Sequence, residues 1–444
     1  MQLILSMMKG KELGAMNKKI RVAEMFAGVG GFHLGLSRAS SNFQVVWADQ
    51  FEPSRKNQFA FNIYKKNFPG TNIVNEDISL INKTSIPSID MLVGGFPCQD
   101  YSVASTGAKG IFGKKGVLWW DIKDVIEAKW PQFVFLENVD RLLTSPGINS
   151  ARPGRDFGMI LRTFSDLGYG VTWKMINAAD YGFPQRRRRT FIFAFRDDTN
   201  FKKHVRKITH LGEDNIAEFI KTMPPLSSTL KNISIGEISK VELTKYDSLV
   251  DFSDNFSVKR AFKKTGFMVD GHICMADYQP LIIESQTLKS IIQPNETDKT
   301  LYLTPEKERK FKELKAGFRT TKISKTGHMY PYGMGAIAFP DPLDKPARTM
   351  VTTEHTVSRM SHVIKDPGNG RLRLISPEEA EKINTFPTNW TSDENITPSN
   401  RYFMMGNALV VDLVKSIGIE IEKLARKENR KEYNNNYKIE KIEH

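Results

Sequence analysis

Short apolar runs alternate with longer mixed stretches in the first half of the chain. The runs at residues 20–26, 43–47 and 132–136 are rich in β-branched and aromatic side chains, which is typical of buried strands. The stretches at 53–67 and 118–129 are predicted helices. Strands that alternate with helices predict an α/β fold with a doubly wound, mostly parallel sheet. In such a sheet, ligands bind at the carboxyl ends of the strands.

The alternation stops near residue 200. Residues 201–345 are irregular and basic, and they show neither the period of two typical of strands nor the period of 3.6 typical of helices. We expect a second, smaller domain over residues 201–375; the alternative is a long insertion of loops. A helix-capping sequence at Ser376 predicts that helices over residues 376–427 return to the larger domain.

Both ends of the chain are predicted to lie outside the folded domains. Residues 1–18 are a predicted flexible extension, and the Lys-, Glu- and Asn-rich residues 428–444 are a predicted frayed tail. The first part of the larger domain is therefore expected over residues 19–200.

Composition narrows the class of protein. The chain has 444 residues, of which 40% are hydrophobic and 26% charged, as in a soluble protein of two or three domains. No uninterrupted apolar stretch approaches the ~20 residues that span a bilayer. The two cysteines, Cys98 and Cys274, argue against a disulfide framework or a cysteine zinc site. We therefore expect an intracellular, reduced protein without a metal site.

The charge balance points to a polyanionic partner. Lys and Arg number 64 and Asp and Glu number 50, which gives a net charge of +14. Such an excess favours nucleic acid as the partner, with a merely solvated basic surface as the alternative.

A glycine-rich turn separates the first predicted strand from a helix. Gly28, Gly30 and Gly31 allow a tight turn and the close approach of a ligand to backbone N–H groups at the start of the helix. His33 stands where the dinucleotide fingerprint requires glycine. A nicotinamide cofactor is therefore disfavoured, and a related nucleotide-like ligand is favoured.

A second turn carries Cys98 directly after the apolar run at residues 90–93. The pair Gly94-Gly95 and Pro97 give this turn an unusual, stiffened backbone, which suits the mounting of a nucleophile. The alternative is a buried cysteine that acts as a small hydrophobic residue.

Six motifs in sequence order resemble those of the bacterial DNA cytosine-5 methyltransferases. They are the glycine-rich turn, Pro97-Cys98-Gln99, Glu137-Asn138-Val139, the run from Gln185 to Arg189, Arg348-Thr349-Met350 and Gly406-Asn407. The resemblance extends from about residue 20 to residue 420. It implies the Rossmann-like fold of class I methyltransferases that use S-adenosylmethionine, and membership of a restriction–modification system.

The resemblance also implies a reaction. The protein would transfer a methyl group from S-adenosylmethionine to C5 of a cytosine flipped out of a specific double-stranded DNA sequence. No metal is expected. The enzyme would act as a monomer in the bacterial cytoplasm, and any cognate restriction endonuclease would act separately.

Four residues would carry the chemistry by resemblance. Cys98 would attack C6 of the base as a thiolate, and Glu137 would hold a proton against N3. Arg187 and Arg189, at the arginine positions of the pattern Gln-x-Arg-x-Arg, would steady the cytosine, the catalytic loop and a phosphate. The alternatives are a solvated carboxylate at Glu137 and a solvated charge run at the arginines.

The cofactor would be held by residues from several motifs. Those predicted to bind it are Phe26, Ala27, Gly28, Val29, Gly30, Gly31, Asp49, Gln50, Asp77, Ile78 and Asn407. Asp77 and Ile78 match the pair that holds the adenine. Gln50, beside Asp49, stands where the family has an acid that binds the ribose, so the side chain that holds the ribose is left open.

Two further segments have expected roles. Residues 99–116 would form a mobile lid over the flipped base, and sequence recognition would lie within residues 205–345. An RNA cytosine-5 methyltransferase and a DNA-binding regulator without catalysis are the competing hypotheses. The intact set Cys98, Glu137, Arg187 and Arg189 argues against the regulator.

Overall fold

The structure is a computed structural model that describes residues 19–96, 118–145, 152–256, 262–323, 327 and 329–429. The strands are β1 (Ile20–Met25), β2 (Phe43–Asp49), β3 (Asn72–Val74), β4 (Met91–Gly95), β5 (Phe133–Val139), β6 (Gly170–Asn177), β7 (Arg188–Phe195), β8 (Asn232–Ile235), β9 (Ser239–Glu242), β10 (Thr265–Val269), β11 (His272–Ala276), β12 (Tyr278–Pro280), β13 (Phe318–Ile323), β14 (Met329–Met334), β15 (Val363–Lys365) and β16 (Leu372–Leu374). The helices are α1 (Gly31–Ala39), α2 (Phe59–Asn67), α3 (Leu118–Lys129), α4 (Arg155–Asp166), α5 (Asn200–Ile208), α6 (Glu213–Thr222), α7 (Leu249–Asn255), α8 (Pro305–Lys315), α9 (Pro377–Ile383), α10 (Pro398–Asn407) and α11 (Val411–Asn429).

A ten-stranded sheet with the order β3-β2-β1-β4-β5-β7-β6-β10-β11-β9 organises the fold. Strands β1 to β5 pair in parallel. Strand β7 lies between β5 and β6 and is antiparallel to both, so β1 to β6 all run in one direction. Their carboxyl ends therefore lie along one edge, which confirms the predicted doubly wound sheet.

Apolar side chains form a core on each face of this sheet. Because side chains alternate along a strand, Phe133 and Phe135 of β5 pack on one face with residues of α1 and α11. Val134 and Leu136 pack on the other face with residues of α3 and α4. The aromatic and β-branched run predicted as a strand is thus buried on both faces, as parallel sheets require.

The sheet continues beyond residue 200. Strand β10 pairs with β6, and β11 and β9 extend the same sheet. Helices α5 and α6 pack on the first core through Phe201, Val205 and Phe219. The predicted domain boundary at residue 200 therefore does not coincide with an edge of the sheet, and the division into domains stays a prediction.

A small separate core lies further along the chain. Leu301, Phe311, Val363 and Leu374 join α8 to the two-stranded sheet of β15 and β16. Strands β13 and β14 form another two-stranded sheet, which pairs with no other strand of the described chain.

The last helix runs past its predicted end. Helix α11 includes residues 428 and 429, and the Glu428 carboxylate accepts hydrogen bonds from the backbone N–H groups of Asn200 and Phe201 at 2.9 and 2.8 Å. The prediction that the tail is frayed from residue 428 is therefore wrong at its start. The predicted extension 1–18 and residues 430–444 lie outside the described residues.

Helices α10 and α11 are apolar because they belong to the core. Within the described residues, the stretch Pro398–Glu428 is long and apolar enough to cross a membrane, and 56% of its most apolar window is buried in the protein. It consists of two helices separated at residues 408–410. Val414 and Ile417 of α11 are among its buried core residues.

Candidate active site

A cavity of about 660 Å³ opens where the carboxyl ends of β1, β2, β4 and β5 meet. It is bounded by the glycine-rich turn after β1, the loop after β2 and the end of α10. The predicted site residues that line it are Phe26, Ala27, Gly28, Val29, Gly31, Gln50, Glu137, Arg187, Arg189 and Asn407. The structure therefore brings predicted catalytic and cofactor residues to one cavity.

Gly30 and His33 serve the packing of the glycine-rich turn. Gly30 has φ 83°, and a Cβ at this position would lie 2.3 Å from the ring of Phe68. The His33 ring stacks on Phe68 with centroids 3.7 Å apart, and its Nδ1 lies 2.9 Å from Tyr64 Oη. Burial lowers the pKa of His33 to about 4. The imidazole is therefore a neutral packing group.

Gln50 holds the turn in place. Its Oε1 accepts a hydrogen bond from the Gly28 N–H at 2.6 Å. Gly28 has φ 56° and no heavy atom within 4 Å of an added Cβ, so its backbone borders open space. The side chain that the sequence placed at the ribose position is thus already engaged with the backbone of the turn.

Asp49 does not line the cavity. It is the last residue of β2, only 2% exposed, and its Oδ1 finds no hydrogen-bond partner in the described part of the chain. Burial, with a contribution from the charge of Asp77, raises the pKa of Asp49 to about 7. A carboxylate in this position is poorly placed to meet a ligand in the cavity.

Glu52 lines the cavity, although it is not among the residues predicted to bind the cofactor. Gln58 fixes its backbone, because Gln58 Oε1 accepts from the Glu52 N–H at 2.8 Å and Gln58 Nε2 donates to the Glu52 carbonyl at 2.9 Å. The half-buried carboxylate makes no hydrogen bond to another described residue, and burial raises the pKa of Glu52, against the charge of Arg55. The sequence feature that could have identified Glu52 is an acidic residue two positions after Gln50.

Asp77 and Ile78 lie off the cavity wall. Asp77 accepts hydrogen bonds from the N–H and hydroxyl of Ser79 at 3.0 and 2.8 Å, and so caps a short 3-10 turn. Ile78 is buried in one of the two cores. Their role in holding an adenine stays a prediction.

Glu137 and Arg189 form an ion pair at the cavity wall, with 2.7 Å between Arg189 Nε and Glu137 Oε1. Glu137 was predicted to follow its strand but lies within β5, paired with Gly95 of β4. A Cβ at Gly95 would lie 3.2 Å from Glu137 Oε2. The glycine therefore leaves space beside the oxygen that Arg189 does not hold.

The end of β4 is fastened beside this ion pair. The Phe96 N–H donates to the carbonyl of Glu137 at 3.3 Å, and Asn138 Nδ2 donates to the carbonyl of Phe96 at 2.8 Å. Cys98 follows Phe96 by two positions in the sequence. Cys98 and the predicted lid, residues 99–116, lie outside the described residues.

Arg187 is buried, and it joins three segments at the cavity. It donates to the Gln185 side chain at 3.4 Å, to the Met350 carbonyl at 3.3 Å and to the Gly406 carbonyl at 3.0 Å. Burial, with the charge of Arg189, lowers the pKa of Arg187 to about 9, so the side chain keeps its charge at neutral pH.

The four successive arginines alternate as predicted. Arg187 and Arg189 line the cavity, whereas Arg186 and Arg188 are exposed. The alternation follows because neighbouring side chains of an extended chain point to opposite sides. The solvated charge run is therefore the wrong description for Arg187 and Arg189.

The segment after β14 closes the site from the other side. Gly406 lies so close to this segment that a Cβ added to Gly406 would lie 2.3 Å from the backbone N of Thr352. The neighbouring Asn407 is exposed on the cavity wall. Among the residues that the structure describes, no group of three or more His, Cys, Asp or Glu side chains is arranged to hold a metal ion.

Residues 20–423 match the family described as C-5 cytosine-specific DNA methylase. Over 417 residues the chain is 43% identical to the type II methyltransferase M.Sau3AI of Staphylococcus aureus. The matched region covers 91% of this chain and 96% of that protein. It is 26% identical to the type II methyltransferase M.NgoBV of Neisseria gonorrhoeae over 90% of this chain and 98% of that protein.

Solved structures share the fold at lower identity. A DNMT2 variant of Spodoptera frugiperda matches with a TM-score of 0.55 and 16% identity, over 91% of this chain and 99% of that chain. The Dnmt2 methyltransferase of S. pombe matches with a TM-score of 0.54 and 14% identity, over 92% of this chain and 99% of that chain.

Proposed function

The chain belongs to the C-5 cytosine-specific DNA methylase family, and we propose that it transfers a methyl group from S-adenosylmethionine to C5 of a cytosine flipped out of double-stranded DNA. The observation that carries this proposal is the Glu137–Arg189 pair beside the end of β4, which lies three residues before Cys98 in the sequence. The enzyme acts as a monomer on a specific DNA sequence in the bacterial cytoplasm, and any cognate restriction endonuclease acts separately.

The residues of the cavity fit S-adenosylmethionine. Its volume of about 660 Å³ is within the range of small-molecule sites. The backbone at Gly28 borders open space that a ligand can approach, and Asn407 offers an exposed amide on the cavity wall. When bound, the cofactor supplies an electrophilic methyl group.

Glu52 is the acid that holds the ribose hydroxyls. It is a carboxylate on the cavity wall without a hydrogen bond to another described residue, and a charged acceptor binds hydroxyl donors more strongly than an amide does. Gln50 supports the site indirectly through its hydrogen bond with Gly28. This assignment takes the place of the open choice between Asp49 and Gln50.

Cys98 is the nucleophile. A residue two positions along a chain has its Cα within about 7 Å, and Phe96, two positions before Cys98, donates its N–H to the Glu137 carbonyl. The thiolate is the reactive form, and a free cysteine has a pKa of ~8.5. Its sulfur bonds to C6, and the electrons of the C5–C6 double bond shift so that C5 becomes nucleophilic. C5 takes the methyl group and S-adenosylhomocysteine leaves. Loss of the C5 proton to solvent then re-forms the C5–C6 double bond and expels the Cys98 thiolate.

Glu137 and the two arginines prepare the base for this attack. Glu137 Oε2 holds a proton against N3, which draws electron density from C6. Arg189 fixes the other carboxylate oxygen, Oε1. Arg187 orients the site by tying the turn before β7 to Met350 and Gly406.

DNA reaches the site by base flipping, since the reacting carbon lies inside the duplex. Residues 205–345 contain the elements that choose the sequence. The net charge of +14 favours contact with the phosphate backbone.

Methylation of unmethylated plasmid DNA with methyl-labelled S-adenosylmethionine tests the proposal. The expected product is 5-methylcytosine at one short sequence, mapped by sequencing, with no label on bulk tRNA. Label on tRNA and none on DNA, or methyl groups on another atom, would overturn it.

A further inference from the structure

The two-stranded sheet of β13 and β14, here called the ribbon, is exposed on both faces. Its strands pair from Phe318 opposite Met334 to Ile323 opposite Met329. Each residue of β13 is exposed, and in β14 Tyr332 alone is half-buried. Ile323 and Met329 are 69% and 64% exposed. An isolated two-stranded sheet is only marginally stable in water. The formation of an apolar core therefore does not explain why the chain forms this ribbon.

The ribbon has the charge of a DNA-binding element. From residue 314 to residue 340 the sequence contains no Asp or Glu, while Arg319 and Lys322 of the ribbon are basic. On one face, Phe318 and Lys322 contact the ring of Tyr332. The other face carries Arg319 and Thr321, whose side chains make no hydrogen bond or ion pair to another described residue.

Buried charges anchor the base of the ribbon. Lys315, the residue that ends α8, and Arg348 both contact the Asp341 carboxylate, at 3.2 and 2.7 Å. Asp341 is 3% exposed, and although burial acts to raise its pKa, the hydrogen bond from Arg348 and the neighbouring positive charges hold that pKa at about 2. Arg359 donates to the carbonyls of Leu314 and Gly335, on the two sides of the ribbon.

The same anchor reaches the active site. Thr349, next to Arg348, donates from its hydroxyl to the Arg186 carbonyl at 2.6 Å. The Met350 N–H donates to Gln185 Oε1 at 3.1 Å, and the Met350 carbonyl accepts from Arg187. A continuous series of contacts therefore links the ribbon to the cavity wall.

We propose that the ribbon enters the major groove of DNA and that Arg319 and Thr321 read base edges there. This inference rests on the proposed function, and it assigns recognition of the DNA sequence to the ribbon. The major groove is wide enough for a two-stranded β-ribbon, and arginine can pair in bidentate fashion with guanine. Gly333 lies opposite Arg319 and has no side chain to obstruct it.

The double variant Arg319→Ala/Thr321→Ala tests the inference. Duplexes carry the mapped methylation site or one of its single-base-pair substitutions, at fixed salt concentration. The ratio of methylation rates between the mapped site and an altered site should fall about 5- to 150-fold for at least one base pair. Competition binding with the same duplexes gives the ratio without turnover.

Arg309→Ala on the exposed surface of α8 is the matched control, because it removes the same charge close to the ribbon. It should keep the wild-type ratio, and all three proteins should bind S-adenosylmethionine equally. Unchanged discrimination in the double variant would overturn the inference while leaving the proposed function intact. A loss of self-association by sedimentation, with discrimination unchanged, would assign the ribbon to a second copy of the chain and would also overturn it. Failure of the wild type to methylate any DNA cytosine would instead refute the proposed function.

Discussion

Arg189 Nε lies 2.7 Å from Glu137 Oε1 across two neighbouring antiparallel strands. Arg189 is in register with Val139, two residues beyond Glu137, so the two side chains meet diagonally on one face of the sheet. Because Arg189 takes Oε1, and Gly95 leaves space beside Oε2, the carboxyl group has one defined oxygen for a substrate.

We expect Glu137→Gln to lower the rate of methyl transfer about 100- to 10,000-fold, because a positioned acid–base group contributes that much. The rate is measured at saturating DNA and S-adenosylmethionine. Arg188→Ala is the control, since Arg188 is exposed next to Arg189 and should have no effect on the rate. A wild-type rate in Glu137→Gln would refute the role of this carboxyl group.

Arg187→Ala should lower the free energy of unfolding by about 3 kcal/mol, because it leaves buried carbonyl acceptors without their charged donor. Urea unfolding measures this change. Arg186→Ala removes an exposed arginine one position earlier and should change stability by less than about 0.5 kcal/mol. Equal effects of the two substitutions would show that the contacts of Arg187 contribute nothing specific.

Glu52→Gln should weaken binding of S-adenosylmethionine about tenfold with little change in the maximal rate, because it removes the charge of one acceptor. Calorimetric titration of the free enzyme gives the dissociation constant. Glu76→Gln, an exposed carboxylate after β3, serves as the control. Binding unaltered by Glu52→Gln would exclude Glu52 as the ribose acid.

Glu24 should make the free energy of unfolding depend on pH. Burial raises the pKa of this β1 residue from 4.5 to about 8, although the hydrogen bond from Tyr64 acts to lower it. Between these pH values the folded protein binds a proton that the unfolded chain has lost, so the free energy of unfolding falls as pH rises.

The side chain introduced by Glu24→Gln cannot ionise, so the variant should lack this pH-dependent contribution to the free energy of unfolding. Its stability relative to the wild type should increase from pH 5 to pH 8, by at most about 1.4 kcal/mol per pH unit. Urea unfolding of both proteins across this range tests the prediction. Parallel curves would mean that Glu24 does not change its protonation on folding.

The sequence predicted the sheet and most of the cavity because their signals are local. Buried strands such as β5 need apolar side chains on both faces, and the tight turn after β1 is marked by its glycines. Such constraints are visible in the order of residues alone. The alternation of the arginines followed from the geometry of an extended chain in the same way.

Contacts between distant segments were not predictable. Gln50 stands at the position of the family's ribose-binding acid, but its amide oxygen is engaged with Gly28, and the carboxylate without a partner among the described residues is that of Glu52. Strand β13 escaped detection because a strand exposed on both faces has no alternation of apolar and polar residues. Asp341 acquires its role only through the side chains of Lys315 and Arg348.

Trapping with 5-fluorocytosine tests most directly whether Cys98 is the nucleophile of a cytosine-5 methyl transfer. Fluorine at C5 cannot leave as a proton does, so the C6–S bond cannot be cleaved after methylation. With S-adenosylmethionine and a duplex carrying 5-fluorocytosine at the mapped site, mass spectrometry should find a covalent adduct on the peptide that contains Cys98. Cys274→Ala, which removes the other, buried cysteine of the chain, should still form the adduct, and Cys98→Ala should not. Methylation of ordinary DNA by Cys98→Ala, or an active wild type that forms no adduct, would contradict the account.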